Sequence, residues 1–232
     1  VGGDYYDFIP LPEGRTAVLL GDVSGHGVPA ALLMAKLSAE ARFCVHSRGE
    51  DLAAAVTQLN EQLLQANLLD RYVTLVAALI DPRSPEVTLV NAGHEAPLVY
   101  RAAENRLERA VPDEQGGFPL CWVPGFCYTS ARVELRPGDS LILFTDGIPD
   151  ALNAAGGKFG REGIFRALDG APPAGQEWLR PGEIGERVIA AVREHAAGHS
   201  QFDDIALVCF GRVEDPVPKT FRIMAEPLSA GG

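Results

Sequence analysis

The stretch GDVSGHGVPAALLMAKL, residues 21–37, joins the end of an apolar strand to the start of an apolar helix. The run AVLLG at 17–21 predicts the strand, and apolar residues at helical spacing predict a helix over 28–47. Asp22 follows the strand and is itself followed by a serine, a histidine and two glycines. Because burying an unpaired carboxylate costs several kcal/mol, Asp22 needs a partner.

Short strands dominate the rest of the chain, and the helices fall into an early and a late group, which predicts an α+β fold. A second helix is predicted over 51–68, with Asp51 near its N-terminus, where a carboxylate suits the helix dipole. Two late helices are predicted over 161–168 and 183–198. Short Pro/Gly turns between strands favour antiparallel pairing. Further strands are predicted at 72–81, 86–92, 97–101, 132–135, 140–147 and 204–212.

Aspartates recur beside the predicted strands. Asp146 follows LILFT and precedes a glycine, Asp203 stands just before IALVCF, and Asp4 follows two glycines. No Arg or Lys lies within these motifs, so a hard divalent cation is the partner that would satisfy all of them. Each aspartate taken singly is also an ordinary turn or capping residue. Their recurrence in one setting is what indicates a metal site.

The charge and composition of the chain narrow the function classes. The formal net charge is −11 and no basic stretch is present, which argues against a nucleic-acid partner. No apolar run approaches the ~20 residues that cross a bilayer, so no membrane span is predicted. The four cysteines include no C-x-x-C pair, which argues against a zinc site. These features predict a soluble, cytoplasmic protein.

Five motifs occur in order along the chain. They are GGDYYDF (2–8), GDVSGHGVPAALLM (21–34), NAGHEAPL (91–98), FTDGIPDA (144–151) and FDDIALV (202–208). With these motifs, the sequence is similar to the metal-dependent protein phosphatases (PPM, the type 2C phosphatases), and within them to the bacterial serine phosphatases that regulate sporulation and stress sigma factors. The resemblance implies a four-layer α-β-β-α sandwich of two mainly antiparallel sheets flanked by helices.

The resemblance also implies a domain organisation. A single phosphatase domain is expected over 1–212, with its N-terminal edge truncated, and 213–232 is expected to form a linker or loose C-terminal tail. The resemblance further implies an upstream sensor domain in the full-length chain, and a homodimer is compatible with it.

The resemblance assigns the acids to two Mn²⁺ or Mg²⁺ ions. Asp22 would bridge both ions, and the carbonyl of Val23 would bind one of them. Asp146 and Asp203 would hold the first ion, and Asp4 would help to hold the second. Asp22 and Asp146 are therefore the predicted catalytic residues. Asp7 and Asp204, which neighbour Asp4 and Asp203 in the motifs, are weaker candidates for metal ligands.

The implied reaction is hydrolysis of a phosphoserine or phosphothreonine ester on a protein, by a water whose pKa two cations lower. Two departures from eukaryotic relatives affect the site. Those relatives carry a histidine two residues after the bridging aspartate, where this chain has Ser24, and His26 comes two residues later. They also carry a phosphate-binding arginine upstream of the first acidic motif, which this sequence does not show. Possible substitutes are Arg71, Asn91 and His94.

The family suggests an anti-anti-sigma (STAS-type) phosphoprotein as substrate. We also hypothesise that the helices over 28–47 and 51–68 transmit regulation to the metal site, with Pro29, Leu33 and Met34 in the first of them. An alternative is a catalytically weak phosphatase-like module for sensing or binding, although retention of the acids disfavours it. A two-metal nuclease is a further alternative, which the acidic charge disfavours.

Overall fold

A computed structural model of the chain describes residues 3–25, 27–65, 71–112, 116–197, 203–213 and, for the backbone, 221–225. The contacts divide the chain into two compact units. The first comprises Val1–Ala96 with Val111–Glu134, and the second comprises Pro97–Ala110 with Leu135–Gly232. In the residues that the structure describes, each unit contains one antiparallel sheet and two α-helices. No helix in the described part of the chain is long and apolar enough to span a membrane.

The first unit contains a five-stranded sheet in the order β1-β2-β3-β4-β7. Its helices both follow β2, and the apolar residues of α1 recur at helical spacing on the side that packs into the core of this unit. The elements, numbered in chain order, are β1 (Asp4–Pro10), β2 (Thr16–Val23), α1 (Val28–Arg48), α2 (Leu52–Leu64), β3 (Val73–Ile80), β4 (Glu86–Ala92) and β7 (Ala131–Glu134).

The second unit contains a five-stranded sheet in the order β10-β9-β8-β5-β6. Apolar side chains of α3 and α4 pack with those of β5, β8 and β9 in the core of this unit. The elements are β5 (Leu98–Arg101), β6 (Arg106–Arg109), β8 (Ser140–Phe144), α3 (Gly160–Leu168), α4 (Pro181–His195), β9 (Leu207–Arg212) and β10 (Phe221–Ala225).

The predicted α+β fold with two mainly antiparallel sheets and accompanying helices is confirmed, since every pair of neighbouring strands is antiparallel. The predicted N-terminal position of Asp51 is also confirmed, because its side chain accepts a hydrogen bond from Ala54 N at 2.9 Å and caps α2. The helix predicted over 51–68 ends earlier, at Leu64, and residues 66–70 lie outside the described part.

Strands β6 and β10 have no counterpart in the sequence prediction. Residues 106–109 form β6, the second strand of a hairpin with β5. Residues 221–225, expected to lie in a linker or loose tail, form β10, which pairs with β9 so that Ala225 stands opposite Val208. The sequence FRIMA supplies apolar residues suited to a strand, a signal that the prolines around it obscured.

Asp139, in the turn before β8, is a buried polar centre of the second unit. It is 2% exposed, and its Oδ2 accepts hydrogen bonds from Arg101 Nη1 at 2.7 Å and from Arg136 N at 3.1 Å. Its Oδ1 accepts from Ala102 N at 2.9 Å. Arg101 also donates to Glu108 at 2.6 Å. This network joins the β5–β6 hairpin to the turn before β8, and it satisfies a carboxylate that would otherwise be costly to bury.

Candidate metal centre

The first group of predicted ligands lies where β1 begins and β2 ends. Asp4 stands directly opposite Asp22 in the strand register. Val23 N donates to Gly3 O at 3.1 Å, so Gly3 and Val23 form a hydrogen-bonded pair, and the adjacent Asp4–Asp22 pair is of the non-hydrogen-bonded type. Side chains of such pairs lie closest together, and like charges directly opposite destabilise a sheet. A cation beside both carboxylates would offset that repulsion.

Two oxygens of this group lie so close to Gly3 that no side chain fits there. A Cβ built on Gly3 would lie 2.6 Å from Asp22 Oδ1 and 2.8 Å from the Val23 carbonyl oxygen. The carboxylate and the carbonyl therefore face the same small volume, which any side chain at position 3 would fill. Carboxylate and carbonyl oxygens are the donors that Mg²⁺ and Mn²⁺ prefer, so the residues present fit such an ion.

The loop after Val23 is hydrogen-bonded to the start of β3. Ser24 N donates to Tyr72 O at 2.9 Å, and Tyr72 N donates to Ser24 Oγ at 2.9 Å. Arg71 Nη1 donates to Ser24 O at 2.8 Å. Gly25, at φ 81°, lies directly under this guanidinium, because a Cβ on Gly25 would fall 1.4 Å from Arg71 Nη1. The loop therefore places Arg71 next to the residues that follow the Asp22 carboxylate.

Asp22 itself lies within β2 and not after it. The strand predicted over 17–21 runs to Val23, because β2 pairs with β3 through Asp22–Thr74 and Val23–Val73. Because β2 also pairs with β1 on its other edge, the backbone of Asp22 is held on both sides. His26 lies outside the described residues.

The second group of predicted ligands lies at neighbouring ends of β8 and β9. Asp146 follows β8, and Asp203 precedes β9. Thr145 N donates to Ala206 O at 3.1 Å, and Ala206 N donates to Thr145 Oγ1 at 2.9 Å, so the antiparallel pairing continues toward both aspartates. Within the second unit, Asp146 and Asp203 thus come from adjoining strand ends.

Two backbone features shape this second group. Asp204 N donates to Asp203 Oδ1 at 2.9 Å, which orients the Asp203 carboxylate. A Cβ on Gly147 would lie 2.0 Å from Asp204 O, so only glycine allows the chain to pass so close at this point.

Each unit thus supplies two of the four predicted acidic ligands. Among the residues that the structure describes, no group of three or more His, Cys, Asp or Glu side chains is arranged to hold a metal ion. The assignment of Asp4, Asp22, Val23, Asp146 and Asp203 to one pair of ions therefore stays a prediction.

Asp7 has a structural partner in the first unit. It is buried, and its carboxylate accepts hydrogen bonds from Phe8 N at 2.8 Å and Tyr5 OH at 3.1 Å. It also forms an ion pair with Arg42 of α1. Burial, followed by the adjacent Asp7 charge, raises the pKa of Tyr5 well above its usual value. Asp7 therefore joins β1 to α1, a role that its place in GGDYYDF did not reveal.

The three predicted phosphate-binding residues have different surroundings. Asn91 Nδ2 donates to His94 O at 3.0 Å, and His94 N donates to Asn91 Oδ1 at 2.8 Å, so Asn91 closes the turn of the NAGH motif. His94 is buried and its Nδ1 lies 2.9 Å from Thr74 Oγ1. Arg71 is half-buried just before β3, where it donates to Ser24 O in the loop that follows Asp22. These contacts favour Arg71 among the three.

The residues proposed for regulation lie in the first half of α1. Pro29 is exposed in its first turn, Leu33 is 1% exposed, and Met34 packs against the core of the first unit. The helix begins at Val28, three residues after Gly25. Their regulatory role stays a prediction.

Comparison with known proteins identifies the family. A family model described as Stage II sporulation protein E (SpoIIE) matches residues 12–213. The chain belongs to the SpoIIE family. This confirms the resemblance to the PPM-type phosphatases and to their sporulation and stress sigma-regulator branch.

Two relatives and one solved structure illustrate the similarity. Protein IcfG of Synechocystis is 26% identical over 91% of this chain and 36% of its own length. Phosphoserine phosphatase RsbU of Bacillus subtilis is 27% identical over 65% of this chain and 43% of its own length. The SiaA-PP2C domain of Pseudomonas aeruginosa matches with a TM-score of 0.74 at 23% identity, covering 91% of this chain and 80% of that one. The chain spans less than half of the length of each of these two relatives.

Proposed function

We propose that the chain is a metal-dependent phosphatase that hydrolyses phosphoserine or phosphothreonine on a protein. The observation that carries the proposal is the Asp4–Asp22 pair, whose members stand opposite each other in the strand register, with Asp22 Oδ1 and the Val23 carbonyl both close to Gly3. The predicted enzyme class agrees with the name of the relative RsbU, a phosphoserine phosphatase. Family membership over residues 12–213 supports the same reaction.

In this proposal, Asp4, Asp22, the Val23 carbonyl, Asp146 and Asp203 hold two Mn²⁺ or Mg²⁺ ions. When bound, these ions supply a water of lowered pKa and positive charge for the phosphoryl oxygens. The protein contributes by fixing the ligands: the strand pairing holds Asp4 opposite Asp22, and Asp204 N–H orients Asp203. Arg71, anchored on Ser24 O, would bind a phosphate oxygen through its remaining N–H groups.

For the substrate, we propose a phosphorylated anti-anti-sigma protein of the STAS type in the cytoplasm. Support comes from membership of the SpoIIE family and from the relatives RsbU and RsbP, both named phosphoserine phosphatases. An upstream sensor domain and a homodimer belong to the same proposal.

We further propose that α1 and α2 transmit regulation, because α1 follows the Asp22 loop directly. A Leu33→Ala variant with unchanged Mn²⁺ affinity and activation would count against that role.

The direct test is hydrolysis with and without metal. The wild-type chain should hydrolyse p-nitrophenyl phosphate and a phosphoserine protein when Mn²⁺ is present, and chelation with EDTA should remove both activities. Restoring Mn²⁺ should restore them. Calorimetric binding of Mn²⁺ without any hydrolysis would instead favour the alternative of a sensing or binding module.

The close approach at Gly3 gives a second prediction. In Gly3→Ala, the added methyl group would displace Asp22 Oδ1 or the Val23 carbonyl, so Mn²⁺ affinity measured by calorimetry should fall about tenfold or more. The matched control is Gly49→Ala, where the nearest atom to the new Cβ would be a carbonyl oxygen at 3.5 Å. Equal Mn²⁺ affinities for wild type and Gly3→Ala would remove position 3 from the metal site.

A further inference from the structure

Two exposed aromatic rings form a platform on the first unit. Tyr72 is 40% exposed and Trp122 is 58% exposed, and their ring centroids lie 5.2 Å apart. We call this pair the Tyr72–Trp122 platform. Large rings that face water together are uncommon unless they bind something, and tryptophan and tyrosine are the residues most enriched where proteins bind partners.

A buried polar anchor holds Trp122 in this exposed position. Asn60 of α2 is completely buried; its Oδ1 accepts from Cys121 N at 2.8 Å, and its Nδ2 donates to Val123 O at 3.1 Å. Cys121 adopts a left-handed conformation with φ 69°, which is unfavourable for a residue with a side chain. The fold therefore fixes the backbone on both sides of Trp122 and tolerates local strain there, while the ring itself stays in water.

The platform is continuous with the loop that follows Asp22. Tyr72 forms two hydrogen bonds with Ser24 of this loop. Its carbonyl oxygen accepts from Ser24 N, and its N–H donates to Ser24 Oγ, both at 2.9 Å. Arg71, the residue before Tyr72, donates to Ser24 O at 2.8 Å and lies across Gly25. Arg71 thus directly precedes one of the two exposed rings in the chain, and both Arg71 and Tyr72 contact the loop at the strand end that carries Asp22.

The charge of Arg71 and the apolar rings indicate which kind of partner this surface would bind. A guanidinium carries five N–H donors, suited to a phosphate, and it stands here in a chain whose net charge is −11. The exposed rings of Tyr72 and Trp122 are suited to contact apolar side chains of a partner. We propose that the Tyr72–Trp122 platform docks the polypeptide segment around the phosphoserine of the substrate, with apolar flanking side chains on the rings and the phosphate toward Arg71. This proposal rests on the proposed phosphatase function.

Two synthetic phosphoserine peptides test the proposal, one with leucine and one with glycine on each side of the phosphoserine. The wild-type chain with Mn²⁺ should show a kcat/KM about tenfold higher for the leucine peptide, mainly through KM. Trp122→Ala should abolish this preference and leave hydrolysis of p-nitrophenyl phosphate unchanged. The matched control is Phe165→Ala, which removes a 40% exposed ring of α3 in the second unit and should keep the preference.

A binding measurement makes the test independent of turnover. The chain has two tryptophans, so Trp178→Phe leaves Trp122 as the reporter of the platform. Its fluorescence should shift to shorter wavelength when the leucine peptide is added, and much less with the glycine peptide. The absence of both the shift and the kinetic preference would overturn the docking proposal. If the wild-type chain did not hydrolyse p-nitrophenyl phosphate in the presence of Mn²⁺, the phosphatase function itself would be contradicted.

A second copy of the chain is the competing occupant of the platform. Sedimentation of wild type and Trp122→Ala over a range of concentrations distinguishes it. If Trp122→Ala converted a dimer into a monomer while the peptide preference stayed intact, the platform would be a self-association surface and the docking proposal would be wrong.

Discussion

Asp22→Asn should lower the Mn²⁺-dependent rate of p-nitrophenyl phosphate hydrolysis by at least about a hundredfold, since even outer partners of metal ligands matter by up to that factor. The substitution keeps the size of the side chain and removes one negative charge opposite Asp4. The metal would lose a charged ligand that faces it together with the Val23 carbonyl. Steady-state kinetics with Mn²⁺ titration measure the effect.

A stability measurement separates loss of metal binding from misfolding. In the absence of metal, Asp22→Asn should be as stable to urea as the wild type or slightly more stable, because it removes a repulsion between facing carboxylates. Asp169→Asn, at an exposed aspartate after α3, is the matched control and should keep full activity. An unchanged Mn²⁺-dependent rate in Asp22→Asn would contradict the assignment of this residue to the metal site.

Asp139→Asn should destabilise the second unit by about 3 kcal/mol, the range found when one partner of a buried ion pair is removed. Asp139 accepts three hydrogen bonds through two charged oxygens. The amide of the variant is neutral and has one oxygen, so it cannot accept all three and leaves Arg101 without a charged partner at this position. Trp178 packs near Gly138, the residue before Asp139, and reports on this region. In a Trp122→Phe background, the urea midpoint followed by Trp178 fluorescence should fall by about 1 M or more.

An exposed ion pair of the same unit provides the control for Asp139. Asp150 pairs with Lys158 at 2.8 Å, and both side chains are more than half exposed. Asp150→Asn should therefore cost less than about 1 kcal/mol. Equal urea midpoints for the Asp139 and Asp150 variants would show that the Asp139 network contributes no more than a surface pair.

The sequence predicted most elements of the fold because their signals are local. Helical spacing of apolar residues gave α1 and α4, and apolar runs between Pro/Gly turns gave β3, β4 and β9. The sequence also placed Asp51 near the N-terminus of α2, and the structure shows that its side chain caps this helix. Strand β10 was missed because neighbouring prolines suggest a loose segment, and pairing with β9, which decides its conformation, is not a local property.

The candidate site was predicted as a set of acids with the Val23 carbonyl and three candidate phosphate-binding residues. The family resemblance named Asp4 and Asp22 as ligands, but their cross-strand pairing and their closeness to Gly3 depend on the register of β1 against β2. Asp7 belongs to the same motif as Asp4, yet its partner is Arg42 of α1. A strand alternates its faces residue by residue, so neighbouring acids in one motif meet different surroundings once the sheet has formed.

The sequence by itself determined the family, the α+β class and the acidic residues available for metal binding, because these follow from residue type, spacing and local periodicity. Only the tertiary structure decided which carboxylates stand opposite one another, that Arg71 lies over the Asp22 loop, and that Asn60 holds the backbone on both sides of Trp122. The reason is physical: strand register and the packing of α2 on a distant loop join residues far apart in the chain, and no local pattern encodes those contacts.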